Sequence, residues 1–278
     1  MSFQVIVDSC CDLTLEMRGS TLYRNVPLTV YVGDQEFRDE PGLDTRLLVD
    51  AMAQCEQASH SACPSPADYL SAFESSSGDL YVVTLSALLS GSHNSAWQAA
   101  QIFQEEHPQR NIHIFNSCSA SSGETLIARK ITHLAQQGLP FEEVVRETNR
   151  YITEMETLFV LENLDNLRKA GRLTKVQSLI TGALRVKLVM GATPEGEIKK
   201  HGQALSIKQA LSKLVDLIAA DRKHAGKTVC ITHCLCPQRA SYLASLMSKQ
   251  CSFAEVLITE TRGLSSYYAN NGGIIVAY

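Results

Sequence analysis

The chain lacks any apolar run approaching the ~18 residues a membrane-spanning helix needs. No basic segment precedes its first apolar stretch in MSFQVIVDSCC. Neither a span nor a secretory leader is therefore expected, and the cytoplasm is the expected compartment. A basic stripe is also missing: 25 Lys and Arg stand scattered against 29 Asp and Glu, a formal charge of −4. That removes the electrostatic footprint of a nucleic-acid binder. There is no G-x-x-x-x-G-K-[ST] loop to cradle the phosphates of a nucleotide, and no G-x-S-x-G elbow to expose a nucleophilic serine. His93, inside the first turn of a predicted helix, has no paired acid marking it as a base.

Cysteine is present in an odd number, nine, spread from Cys10 to Cys251 without one C-x-x-C pair. A chain this large needs no disulfide staples, and structural zinc favours such pairs, so reduced thiols at strand ends and no metal are expected. The vicinal Cys10-Cys11 and the run His233-Cys234-Leu235-Cys236 fit that reading.

What is present is a core and an alternation. At 278 residues and 45% hydrophobic content the chain can bury one large domain or two ordinary ones. Five unbroken apolar runs, FQVIVDS (3–9), LYVVTLS (80–86), NIHIFNS (111–117), TVCITHC (228–234) and AEVLITE (254–260), read as strands covered on both faces. Between them PADYLSAFES, capped by Ser65 with Pro66 at its first position, and NSAWQAAQIFQEE, LIARKITHLAQQ and EEVVRETNRYITEM carry helical spacing. The expected fold is α/β in two domains. Residues 1–155 would form a largely parallel sheet flanked by helices, with a small β-hairpin insertion at about 21–40 turning on Gly33-Asp34. Residues 156–278 would form an α+β domain with a hairpin over 185–202 turning at Pro194-Glu195-Gly196, and the ligand would sit in the cleft between the two.

Three junctions place serines or aspartates where a strand hands over to a helix, the position at which open sheets collect ligands. They are VDSCCDL (7–13), TLSALLSGSHNSAW (84–97) and FNSCSASSGET (115–125). In the second, Gly91 permits close backbone approach while Ser90 and Ser92 offer hydroxyl donors. One such junction is ordinary capping chemistry. Three without a following lysine suit a small anion such as a carboxylate.

The same residues carry a resemblance. VDSCCDL is similar to the Asp-Ser-x-x-Asp-Leu opening of the DegV family, SACPSPADY (61–69) to its Thr-Ser-Gln-Pro-Ser segment, and LSGSHNSA (89–96) to its Leu-Ser-Gly-Thr segment. LDNLRKAGRLTKVQSLITGALRVKLVM (164–190) resembles its Gly-Gly-Arg stretch and the Lys-containing strand after it. The ordered motifs span essentially the whole chain. Characterised members are the fatty-acid-binding subunits of bacterial fatty acid kinase. The resemblance thus implies a lipid carrier, not itself an enzyme, that buries a long-chain fatty acid as its ligand without a further cofactor. It would present the carboxylate to a separate kinase subunit for acyl phosphate formation. Carried over, the carboxylate-binding serine falls on Ser90, the carboxylate-binding threonine on Ser61, and the kinase-contact arginine on Arg172; Gly91 and Ser92 complete the fatty-acid site.

Departures are local. Ser61 stands for Thr, Ala170 for the first Gly of Gly-Gly-Arg, and Leu188 where Pro commonly follows the Lys. The family's Thr-His-x-Gly-Pro-Gly segment is replaced by RGLSSYYANNGGIIVAY, which has no His. Tyr267, Tyr268 and Asn270 are available to replace that anchor, and core or surface roles are equally open to them. A different class of function stays in view, a self-sufficient enzyme acting on a small carboxylate or phosphate. It would purify empty and turn over alone, whereas a carrier would purify with its lipid.

Overall fold

The computed structural model describes residues 2–57, 59–176, 186–221 and 223–278. The part of the motif over 164–190 that falls on 177–185, and the first residue of the expected 185–202 hairpin, lie outside the described residues.

The first sheet follows from its apolar runs. Strands β1 (Phe3–Asp8), β2 (Tyr23–Val26), β6 (Asp79–Thr84) and β7 (Ile112–Asn116) form a fully parallel sheet in the order β2-β1-β6-β7. Val5, Ile6 and Val7 are completely buried, as a central strand covered on both faces requires. On one face Ile6, Leu80 and Val82 pack against Tyr69 and Phe73 of α3 (Pro66–Glu74) and Ala96, Ala99 and Phe103 of α4 (Ser92–Glu106). On the other, Val5, Val7, Tyr81 and Val83 meet Ile127 and Ile131 of α5 (Ser122–Gln136) and Val144 of α6 (Phe141–Glu154). The predicted start of α3 is realised as a capping box, Ser65 and Asp68 each bonding the other's backbone, with Pro66 in the first turn.

The chain leaves β1 toward β2 on one side and returns to β6 on the other, so β1 and β6 form a topological switch point. Their carboxyl ends, at Asp8 and Thr84, therefore diverge into loops with an opening between them.

The insertion is placed differently from expectation. Strands β3 (Thr29–Val32) and β4 (Gln35–Arg38) make the hairpin at Gly33-Asp34, but residues 23–26 belong to the main sheet, and the third strand of the small sheet is β5 (His60–Ala62). A local reading sees the turn but not that β1 has an open edge for β2 to pair with.

The second sheet begins at β8 (Thr157–Val160) and runs β10-β9-β8-β13-β11-β12. Its hairpin of β9 (Lys187–Ala192) and β10 (Ile198–Ala204) turns through Gly196 at φ +90°, a conformation that favours glycine. β11 (Thr228–His233) pairs parallel with β12 (Glu255–Glu260) and antiparallel with β13 (Ile274–Ala277). The core of this half packs Leu158, Val160 and Ile231 against Leu211 and Leu214 of α8 (Ile207–Asp221) and Leu243 and Met247 of α9 (Pro237–Gln250). Helix α5 joins the two sheets, since its Leu126 contacts Cys230 and Ala277 of the second. At the hairpin tip, the Ser86 hydroxyl donates to the Gly196 carbonyl at 2.8 Å. These contacts close the sheets around a cavity at the switch point.

Candidate functional site

The cavity has a volume of about 340 Å³, within the usual range of roughly 300–1,000 Å³ for ligand pockets. Its walls come from both sheets: Leu85, Leu89, Ser90 and Gly91 from the β6–α4 loop, Ser61 and Cys63 around β5, and Phe159, Leu161, Ile198 and Ile275 from the second sheet. Helix α10 (Gly263–Ala269) contributes Leu264, Tyr268 and Ala269, and Arg172 closes one side. The third and first junctions contribute Ser119, Ala120, Ser121 and Cys10.

The polar groups of this wall divide into two populations. Deeper hydroxyls are turned into the protein: Ser119 and Thr157 bond each other at 2.7 Å, with the Ala120 carbonyl 3.4 Å from Ser119 Oγ to take the second hydrogen, Ser121 donates to the Asp12 carboxylate at 2.6 Å, and Ser265 donates to the Cys10 carbonyl at 3.2 Å. Burial and the neighbouring carboxylates push the Cys10 thiol well above its ordinary range, so it too is uncharged. A ligand in that region meets uncharged side chains whose hydroxyls are already bonded. Near the opening the arrangement reverses. Ser61 Oγ and the Tyr268 hydroxyl lie 2.9 Å apart, and since only one hydrogen can lie between them, the other is free to donate outward. Ser90 Oγ accepts the Ser92 N–H at 3.2 Å, which leaves its own hydrogen available.

Arg172 follows helix α7 (Asp165–Lys169), its cap Ala170 and Gly171, whose φ is +77°. Its Nε donates to the Leu89 carbonyl at 3.0 Å and its Nη1 to that of Ala170, while Nη2 makes no bond among the described residues. The guanidinium therefore holds the residue preceding Ser90 and still presents one edge. Sequence reasoning assigned it only an outward contact, because nothing local shows that the chain folds back onto the β6–α4 loop. Outside the opening lies a second depression of about 740 Å³ that shares Ser90, Gly91, Arg172 and Ile198 with the cavity. Its rim carries Leu88 and Trp97, which are 55% and 52% exposed.

Of the expected fatty-acid residues, Ser61, Ser90 and Gly91 line the cavity and Ser92 does not. Ser92 is fully buried, with its hydroxyl 2.6 Å from Asp8 Oδ2 and 2.6 Å from the Tyr69 hydroxyl. The expectation that it offers a donor to a ligand is corrected: helical geometry turns the residue after Gly91 inward, where a carboxylate claims its hydrogen. Of the candidates to replace the absent histidine, Tyr268 faces the cavity, while the buried Tyr267 donates to the Ser59 carbonyl at 2.9 Å. Asn270 ends α10 with φ 56°.

Helix α10 is set by carboxylates from the first half of the chain. Asp39 accepts the N–H groups of Gly263 and Leu264 at 2.9 and 2.8 Å, supplying the cap that Arg262 cannot. Asp12 accepts the Arg262 N–H at 2.5 Å, and burial raises its carboxyl to about 7. Among the described residues there is no cluster of His, Cys, Asp or Glu suited to a metal ion, and no helix long and apolar enough to cross a membrane.

Comparison with known proteins is consistent along the chain. The model of the DegV family, described as uncharacterised proteins, matches residues 2–277. A DegV domain-containing protein of Streptococcus gordonii is 36% identical over 280 residues, covering 100% of this chain and 99% of that protein. A solved DegV family structure from Ruminococcus gnavus, refined with vaccenic acid, is similar with a TM-score of 0.96 at 42% identity and covers 100% of both chains. The Streptococcus pneumoniae Fatty Acid Kinase (Fak) B3 protein, loaded with linoleic acid, is similar with a TM-score of 0.91 at 34% identity over 100% of this chain and 99% of that one.

Proposed function

The chain belongs to the DegV family, and from that premise we propose that it binds one long-chain fatty acid in the cavity and presents the carboxylate to a separate kinase for acyl phosphate formation. The observation that carries this reading is the division of the wall. Hydroxyls deep in the cavity are consumed by the protein, and those at its opening keep a hydrogen to give. A ligand that is apolar along its length and anionic at one end fits that division. Each buried CH₂ contributes about 0.8 kcal/mol, so the chain supplies most of the affinity. A carboxylate taken from water needs several donors, and Ser61, Tyr268, Ser90 and the free edge of Arg172 converge on the opening to supply them. Fatty acids bound in the Ruminococcus gnavus and Streptococcus pneumoniae structures favour the same class of ligand here.

The kinase is inferred from the Fatty Acid Kinase membership of the pneumococcal relative and from the depression outside the opening, whose exposed Leu88 and Trp97 give a second protein an apolar rim beside Arg172. In this reading the chain is a carrier rather than an enzyme, has no cofactor besides its lipid, does not bind nucleic acid and works in the cytoplasm. Residues 1–155 and 156–278 are its two halves.

Native mass spectrometry of the protein as purified tests the reading. A retained mass of fatty-acid size is expected, with acyl phosphate appearing only after a kinase subunit and its phosphoryl donor are added. Protein that is empty, and that turns over a small carboxylate by itself, would refute it.

A further inference from the structure

The β6–α4 loop, which carries Leu89, Ser90 and Gly91, is fastened at both ends to one carboxylate. Asp8, fully buried at the end of β1, accepts the Leu85 N–H on Oδ2 at 2.9 Å and the Ser92 hydroxyl on the same oxygen at 2.6 Å. Its Oδ1 accepts the Cys10 N–H at 3.1 Å. Ser92 has a single hydrogen and gives it to Asp8, so the buried Tyr69 hydroxyl donates to Ser92 in turn. Directions along this relay require Oδ2 of Asp8 to act as an acceptor.

Glu124, in the first turn of α5, is the carboxyl neighbour of Asp8. It is 0% exposed, and among the described residues neither of its carboxyl oxygens receives an N–H or O–H donor. Two carboxylates side by side in a buried site with no such donor on one of them cannot both be charged. One has to hold a proton, and Asp8, which accepts three hydrogens where Glu124 accepts none from N–H or O–H, is the better-stabilised anion, so that role falls to Glu124.

We propose that Glu124 is a neutral acid that donates its hydrogen to Asp8, and that this acid–carboxylate pair is the positioning element that holds the Ser90-Gly91 turn in place for the ligand head group. Asp8 then accepts one hydrogen from each of four elements: the turn after β1, the start of the β6–α4 loop, its end, and α5. The pair touches no ligand. It acts by fixing the loop whose Ser90 does, and in this it rests on the fatty-acid reading above. Burial raises the carboxyl of Glu124 well above the ordinary carboxylate range, in keeping with that assignment.

Isotope-edited infrared spectroscopy of the full chain, labelled in glutamate, tests the proton directly. A carboxylic-acid carbonyl band is expected at neutral pH in the wild type and is expected to vanish in Glu124→Gln. Glutamine keeps a neutral donor toward Asp8, so Glu124→Gln should retain fatty-acid affinity within about twofold and keep the 85–92 amides slow to exchange. Leucine fills much of the same space without a donor. Glu124→Leu, checked for an unchanged far-ultraviolet circular dichroism spectrum, should weaken binding about tenfold to a hundredfold and speed exchange of those amides. The proposal is overturned by the absence of a neutral glutamate band, by leucine and glutamine variants impaired alike, or by a leucine variant that keeps both affinity and protection. A wild type that binds no fatty acid would refute the ligand reading alone, and the band and the exchange pattern would then decide the pair.

Discussion

Ser61 Oγ and the Tyr268 hydroxyl are 2.9 Å apart although their residues are 207 positions apart in the chain, one on β5 and the other on α10. Their pairing gives the cavity opening a donor where the family's histidine is absent. Tyr268→Phe keeps the ring and removes the hydroxyl, and is expected to weaken fatty-acid binding about tenfold with little change in melting temperature. Ser61→Ala should do the same. Because the two hydroxyls act as one unit, the double variant should fall well short of the product of the single effects in a titration with a fluorescent fatty acid.

Ser90 and Ser92 are two residues apart and should behave oppositely. Ser90→Ala removes an outward donor and is expected to cost about tenfold to a hundredfold in affinity, at ~1.5–3 kcal/mol for a hydrogen bond to an anion, while the fold stays as stable as before. Ser92→Ala removes the hydrogen held by Asp8 and the acceptor used by Tyr69. Its main effect is expected in denaturant unfolding, a loss of about 2–3 kcal/mol. Equal stability of the two variants would contradict the inward orientation of Ser92.

Arg172→Ala releases the Leu89 carbonyl and removes the free guanidinium edge. Fatty-acid retention is expected to fall severalfold, and kinase-dependent acyl phosphate formation further still. Arg172→Lys should rescue poorly, since an ammonium cannot hold Leu89 and an incoming anion with one planar fork. Side-by-side measurement of bound lipid and acyl phosphate checks both expectations. Lysine at wild-type activity would remove the fork from the argument.

The contribution of Asp12 to stability should fall as pH rises through the acid-to-neutral range. Burial lifts Asp12 from an ordinary aspartate value to about 7 in the folded chain, and Asp8, Asp39 and Glu124 are raised by the same cause. A raised carboxyl binds its proton more tightly in the folded state, so its contribution is fully present below the unfolded value, at about pH 4 for Asp. For Asp12 that contribution is lost as pH rises toward 7 and is constant above it. Measured across this window, the melting temperature of the wild type relative to Asp12→Asn should decline with pH. A difference that rises over the same interval would contradict the assignment.

The candidate site was legible as a location. The run LSALLSGSHNSAW ends a strand and starts a helix, and backbone geometry alone makes such a junction a place for an anion. Which of its hydroxyls faces the cavity was not legible, because the competitor for Ser92 is Asp8, 84 residues earlier. Two serines of FNSCSASSGET illustrate the same limit, for Ser121 donates to Asp12 and Ser119 pairs with Thr157.

By itself the sequence determined the apolar runs that become strands, the Ser65-Pro66 helix start, the hairpin turns and the position of the switch-point loops, since each depends on residues adjacent in the chain. Tertiary structure decided that β2 completes the parallel sheet, that Arg172 braces Leu89, that Tyr268 meets Ser61, and that Asp8, Asp12 and Asp39 hold the loops around the cavity. The physical reason lies in the range of the interactions. Backbone propensity and capping act over a few residues, whereas a buried carboxylate takes donors from whichever segments the fold brings within about 3 Å of it, however far apart they are in the chain.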